Sequence, residues 1–239
     1  MARLLAGDAR FDGIVSLAGR TADPLAAPLP VRSGGFGGVE GLIAYLASEK
    51  IDLVLDATHP FAAQMSSNAV AACAATGVAL VALERPPWQE VPGDRWRHFQ
   101  SAGEAIAALP HEPQRIFSGL GRLSLDALRA APQHHWTIRV IDPIAHPLGL
   151  PHATVITARG PFKTQDDTAL FRAHGIDAVV AKNAGGLAAY SKIEAARLLG
   201  IPVLLIARPA IASRPTVPSV EAALLELVAH HERPAKRGV

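Results

Sequence analysis

Apolar and polar positions follow two periods along this chain. Short apolar runs bounded by turn residues occur at 13–17, 52–56, 79–83, 115–118, 137–141, 154–157, 178–181 and 203–207, and they read as buried strands. Helical patterns lie between many of them, at 38–48, 62–76, 102–109, 123–131, 164–174, 189–199 and 219–231. Alternation of this kind predicts right-handed βαβ units and parallel sheets, an α/β fold. Two proline-rich stretches, 84–93 and 143–151, show no usable period and are expected to be loops or crossovers. A division near 109–114 gives two lobes of comparable size, 1–112 and 113–239.

In open α/β sheets ligands bind beyond the carboxyl ends of the strands. The segments at those ends are SLAGRT (16–21), DATHPFA (56–62), SGLGR (118–122), ARGPF (158–162), KNAGG (182–186) and ARP (207–209). All are polar, glycine-rich or basic, and all are expected at one end of the sheets. A further cluster, SGGFGG (33–38), has four glycines in five positions and opens a helix, which suits close backbone approach to a phosphate or a flat ring. Glycine clusters also mark tight crossovers, so that cluster alone decides nothing.

Composition narrows the classes. Of 239 residues, 49% are hydrophobic and 18% charged, enough to bury one large core or two modest ones. No apolar run reaches the ~18 residues of a spanning helix, and no basic stretch followed by an apolar signal core opens the chain, so a cytoplasmic protein is expected. The single cysteine, Cys73, cannot form an internal disulfide and is expected to pack among alanines. Net charge is +2, the basic excess sits in the tail HHERPAKRGV, and aromatics make up 5%, so no nucleic-acid partner is expected. HExxH and paired CxxC spacings are missing, and His134–His135 and His230–His231 are adjacent pairs that point to different sides, so no metal is expected. The chemistry is then expected to come from a bound organic cofactor.

Three patterns carry candidate chemistry. At 56–62, Asp56 ends a strand, Thr58 and His59 follow in the loop, and Pro60 suits a first helical turn. Phe61 and Ala62 can offer an apolar wall to a flat ring, Asp56 and Thr58 can hydrogen-bond its substituents, and His59 is a candidate proton donor. The competing reading is that Asp56 or Thr58 merely caps the helix. At 16–21, Ser16, Arg20 and Thr21 stand where a carboxylate would receive the ribose of NAD, and no acid follows until Asp23; that pattern suits the 2′-phosphate of NADP. In the second half, Arg122, Arg159, Lys163, Lys182, Lys192 and Arg208 follow strand ends or start helices in a weakly charged protein, with Asn183, Gly185 and Gly186 beside them. Such a group can form a cradle for a polycarboxylate.

In order along the chain, SLAGRT, GGFGG, DATHPFA, S.NA, GR, RGPF, KN.GG, K and AR.LGIPV..I.RP resemble the precorrin-6A reductase family. The resemblance implies two Rossmann-like lobes with parallel sheets and a ligand cleft between them. It implies NADPH-dependent reduction of one double bond of a corrinoid precursor in cobalamin synthesis. On it, Ser16, Arg20, Thr21, Gly34, Gly35, Gly37, Phe61 and Ala62 are expected at the cofactor, and the second-half cluster at the carboxylates of the macrocycle. The chain is expected to act as a monomer or homodimer, on a substrate with or without cobalt. Two other readings fit the same residues: another NADP-dependent reductase of a polycarboxylate, and a module that binds a tetrapyrrole without reducing it. Family members usually open with a strand and a Gly-Gly-Thr turn, whereas this chain begins MARLLAGDARF, already helical. Either the start was assigned too far downstream or another segment fills the gap, and the first is the expected explanation.

Overall fold

The computed structural model describes residues 1–19 and 24–232. The chain forms α1 (Ala2–Leu5), β1 (Val15–Leu17), β2 (Val31–Ser33), α2 (Gly38–Ser48), β3 (Leu53–Asp56), α3 (Ala63–Thr76) and β4 (Ala79–Leu83). It continues with β5 (Trp96–Phe99), α4 (Ala102–Ala107), β6 (Arg115–Gly119), a single 3-10 turn (Arg122–Ser124), α5 (Leu125–Leu128), β7 (His135–Val140), β8 (Ala153–Thr157), α6 (Thr164–His174), β9 (Ala178–Lys182), α7 (Ser191–Leu199) and β10 (Val203–Ile206). Last come β11 (Thr216–Val217) and α8 (Val220–Glu232). No helix of the described residues is long and apolar enough to cross a membrane.

Two compact units result: Met1–Arg85 together with the chain from Ala210 onward, and Pro86–Pro209. The structure therefore draws its division elsewhere than at 112/113. The reason is long-range pairing: β5, in a stretch without a helical or strand period, adds to β10, and the chain beyond Pro209 returns so that β11 adds to β4.

In the first unit every ladder is parallel, as the alternating pattern requires. β1 pairs with β2 through Val15↔Val31, and β4 lies between β3 and β11. No ladder among the described residues joins β1 to β3. The core is formed by Leu42 and Leu46 of α2 against Ala69, Ala72 and Cys73 of α3, with Val54 and Leu80 from the strands packed on it. The small residues of α3 let α2 approach closely, and each buried leucine contributes about 1.5–3 kcal/mol. Cys73 is buried here with its thiol pKa pushed up by desolvation, the inert packing role expected of it.

The second unit holds one six-stranded parallel sheet in the order β5-β10-β9-β6-β7-β8. Its centre reads AVVAK and VLLI because β9 and β10 are covered on both faces. Phe117, Phe171, Val179, Ile193 and Leu205 pack on one side of it, each at most 1% exposed. From β6 the chain steps outward to β7 and β8, then returns to place β9 on the other side of β6. The strand order thus reverses between β6 and β9, and that switch point is where open α/β sheets bind ligands.

Candidate active site

In the first unit, the turn after β3 is built by Asp56. Its buried carboxylate accepts the Thr58 N–H at 3.1 Å and the Thr58 hydroxyl at 2.7 Å, and Thr58 Oγ1 lies 3.2 Å from Ser66 Oγ. These contacts fold the Asp-x-Thr segment back on itself. The other oxygen, Oδ2, lies 3.7 Å from the Arg214 guanidinium, which also reaches Glu84 at 3.4 Å. The helix-capping alternative does not hold: α3 begins at Ala63, its N-cap is Ala62, which offers no capping side chain, and Asp56 Oδ1 accepts from Thr58 instead. Pro60 also precedes the helix, inside a turn in which Ala62 N–H donates to His59 O at 2.7 Å. His59 is exposed, its Nδ1 accepts the Phe61 N–H at 3.2 Å, and its ring lies 5.8 Å from the half-buried Phe61 ring. That bond assigns the neutral imidazole's proton to Nε2.

Beyond β1 and β2, the glycine segment is shaped by a residue that sequence reasoning missed, Arg32. Its guanidinium donates to Ser16 Oγ at 2.9 Å, Gly34 O at 3.0 Å and Gly35 O at 3.1 Å, and it lies over the Phe36 ring at 4.0 Å. The available signal was a cation inside the strand Val31–Ser33. Gly34 and Gly37 adopt φ of 114° and 83°, which side chains resist, and a Cβ at Gly34, Gly35 or Gly37 would meet nothing within 4 Å. Bare backbone faces open space there, which fits a dinucleotide's phosphates or flat ring. Arg20 and Thr21 lie outside the described residues.

In the second unit the strand order brings most of the predicted basic cluster to one sheet edge. Lys182 ends β9 beside Gly119, the end of β6, and its Nζ donates to Leu120 O at 2.9 Å. Burial lowers its pKa. Arg122 opens the 3-10 turn after β6, and Arg159 and Lys163 lie between β8 and α6; all three are exposed. Asn183, Gly185, Gly186 and Arg208 are used differently from the expectation. The Asn183 amide accepts from Trp88 N at 2.8 Å and donates to Trp88 O at 3.1 Å. Trp88 Nε1 in turn donates to Gly186 O at 2.8 Å, and Arg208 donates to Asn183 O at 3.0 Å and Ala184 O at 3.2 Å. Asn183 and Arg208 thus fasten the loop after β9, while Gly185 and Gly186 supply its positive φ values of 66° and 68°.

Lys192 also departs from the expected cradle: it is in α7 and buried, not among the exposed cations. Beneath the edge, Arg139 of β7 is bonded to Asp167 of α6 at 2.5 and 3.2 Å, and Ser191 Oγ donates to Asp167 at 2.6 Å. The Arg139 guanidinium also lies 3.8 Å from the Phe162 ring centroid, so it steadies the loop that carries Arg159 and Lys163. A cation in the middle of an apolar strand was the sequence's only hint of this pair.

The precorrin-6x reductase CbiJ/CobK family matches residues 1–228 of the chain. A precorrin-6A reductase of Rhodobacter capsulatus is 53% identical over 239 residues, which are 100% of this chain and 94% of that protein. One from a Sinorhizobium species is 49% identical over 235 residues, 98% and 90% of the two chains. A cobalt-precorrin-6A reductase of Methanothermobacter thermautotrophicus is 34% identical over 179 residues, 71% of this chain and 59% of that one. A solved structure of CobK precorrin-6A reductase matches with a TM-score of 0.92 at 52% identity, covering 100% of this chain and 94% of that one. The parallel α/β architecture with a basic edge at a strand-order switch is therefore that of an oxidoreductase of corrin synthesis. The chain belongs to the precorrin-6x reductase family.

Proposed function

We propose that this protein reduces one double bond of precorrin-6A with NADPH, the first unit taking the dinucleotide and the second the macrocycle. The observation that carries this reading is the placement of Arg122, Arg159, Lys163 and Lys182 at or just beyond the carboxyl ends of β6, β8 and β9, in the sheet whose strand order reverses between β6 and β9. A corrinoid precursor bears a ring of acetate and propionate groups, and guanidinium and ammonium groups around a switch point suit that charge pattern. NADPH, when bound, supplies the hydride. Ser16, Gly34, Gly35 and Gly37 would lie along the dinucleotide, and Phe61 and Ala62 would wall the nicotinamide. Thr58, fixed by Asp56, and His59 would meet its polar groups, and Arg20 and Thr21 would receive the 2′-phosphate. Holding two reactants in register can contribute about 7–11 kcal/mol, so alignment is the main work assigned to the protein. The cobalt-free substrate is favoured because the relatives of 53% and 49% identity are named precorrin-6A reductases. We place the reaction in the cytoplasm, in a monomer or homodimer.

NADPH oxidation that depends on precorrin-6A is the direct test. Arg20→Ala should raise KM for NADPH far more than KM for NADH, since a charge-assisted contact is worth roughly 1.5–3 kcal/mol. Arg159→Ala and Lys182→Ala should weaken macrocycle binding and leave NADPH affinity within about twofold, reflecting a division of ligands between units. Macrocycle binding without any NADPH oxidation would overturn the reading in favour of a binding module.

A further inference from the structure

A lysine ammonium inside a protein is ordinarily held by a carboxylate, because an unpaired buried charge is costly. Lys192 has none. It is 5% exposed, and its Nζ donates to Ala189 O at 2.5 Å and stands 5.0 Å from the centroid of the Trp88 ring. It forms no ion pair among the described residues. Its stem runs against the carboxyl end of β6: a Cβ on Gly119 would meet Lys192 Cε at 3.1 Å and Cδ at 3.2 Å. Gly119 and Lys182 end the two strands that flank the switch point, so the ammonium lies next to the place where a ligand is expected.

The charged groups around it do not hold the proton firmly. Arg139 from β7 opposes the ammonium and Asp167 from α6 favours it, but those two are bonded to each other. Trp88 presents only its ring, and Lys182 of β9 is a second cation whose own Nζ is turned to Leu120 O. Burial is the largest influence and, with Arg139, brings the Lys192 pKa down to about 7. An amine so placed exchanges its proton readily at neutral pH, as a general acid must.

We propose that Lys192 is the proton donor of the reduction, its ammonium protonating the macrocycle atom next to the one that receives the hydride. The inference rests on the reductase reading above. Reduction of one double bond adds two hydrogens: the hydride's electron pair forms one new bond, and the π electrons of the double bond form the other by taking a proton from Nζ. The N–H bond breaks, the amine is left neutral, and water restores its proton. This role belongs to Lys192, buried beside the strand ends of the unit that takes the macrocycle, in preference to His59, whose side chain is exposed.

The test uses the full chain with NADPH and precorrin-6A. If the wild-type protein binds both and oxidises no NADPH, the reductase reading falls, and this inference with it. If it turns over, kcat should decline as pH rises and the ammonium is lost. Lys192→Met should bind both ligands within about threefold of wild type, with kcat lowered at least about a hundredfold and the alkaline decline gone. Lys192→Ala should regain rate when ethylamine or propylamine is added, which a purely structural lysine would not allow. A Met variant within threefold of wild-type kcat, or one that keeps the alkaline decline, would overturn the proposal. Should neither the Met nor the Ala variant fold, Lys192→Arg decides: it retains the charge but not an exchangeable proton in this range, so unchanged turnover would overturn the proposal and a hundredfold loss would support it.

Discussion

Replacing Asp167 by alanine should destabilise the second unit more than any surface change. Arg139 and Asp167 have side chains only 9% and 2% exposed, and the carboxylate accepts two guanidinium bonds and one from Ser191. Without it a guanidinium is left buried and uncompensated, which costs about 3–5 kcal/mol, and the Ser191 hydroxyl loses a bond worth about 1 kcal/mol more. Arg139→Met strands the acid instead and should cost a comparable amount. The pair Arg139→Met with Asp167→Leu should return to within about 2 kcal/mol of wild type, because apolar residues of similar volume often replace a buried ion pair at little loss. Urea unfolding read by tryptophan fluorescence is the assay, since all three tryptophans, Trp88, Trp96 and Trp136, lie in Pro86–Pro209 and report that unit alone. Arg139→Met should also raise KM for the macrocycle, because the loop of Arg159 and Lys163 loses its stack on Phe162. Single variants that lose less than about 1 kcal/mol, or a double variant that loses their sum, would refute the reasoning.

Two other substitutions probe independent features. A Cβ at Gly41 in α2 would meet Phe36 O at 1.7 Å, so Gly41→Ala must push the glycine segment away; a loss of about 1–3 kcal/mol and weaker NADPH binding are expected, read by circular-dichroism melting and titration. His134 is fully buried, accepts Gln114 N–H at 3.1 Å, and has its pKa lowered by burial. Its unfolded form takes a proton at about pH 6.5 and its folded form only lower, so the stability it contributes is complete above that pH and lost as pH falls below it. The melting temperature by tryptophan fluorescence should therefore fall from about pH 7.5 to about pH 5, and fall less in His134→Gln. Equal pH dependence in the two proteins would exclude His134 as the source.

Periodicity found the long elements because each buries one stripe or face. α2 and α6 occupy the predicted spans, and β4 does as well. β2, β5 and β11 have three, four and two residues, too few for a period, and each exists because a distant strand pairs with it. The unit boundaries went unread for the same reason: nothing in Trp96–Phe99 announces that Val203–Ile206 will be its neighbour. At the site, strand-end motifs were legible as chemistry but not as roles. The Asn183 amide looked available for a ligand until Trp88, 95 residues away, proved to occupy both its ends. Lys192 looked like one cation among six because burial depends on what packs against α7, which helical spacing does not specify.

The discontinuity of the first unit bears on how the chain is made. Synthesis delivers β1 to β4 early, but the strand that borders β4 and the helix that follows arrive only after the whole of Pro86–Pro209 has left the ribosome. Domains usually mature in the order in which they are translated. Here the later-encoded unit is contiguous and can close first, while the earlier one waits, with the outer edge of β4 unpaired, until Thr216–Val217 emerges. That open edge is the kind that recruits other strands. The nascent chain is thus most vulnerable to aggregation in its amino-terminal segment, and the interval is set by the length of the insertion.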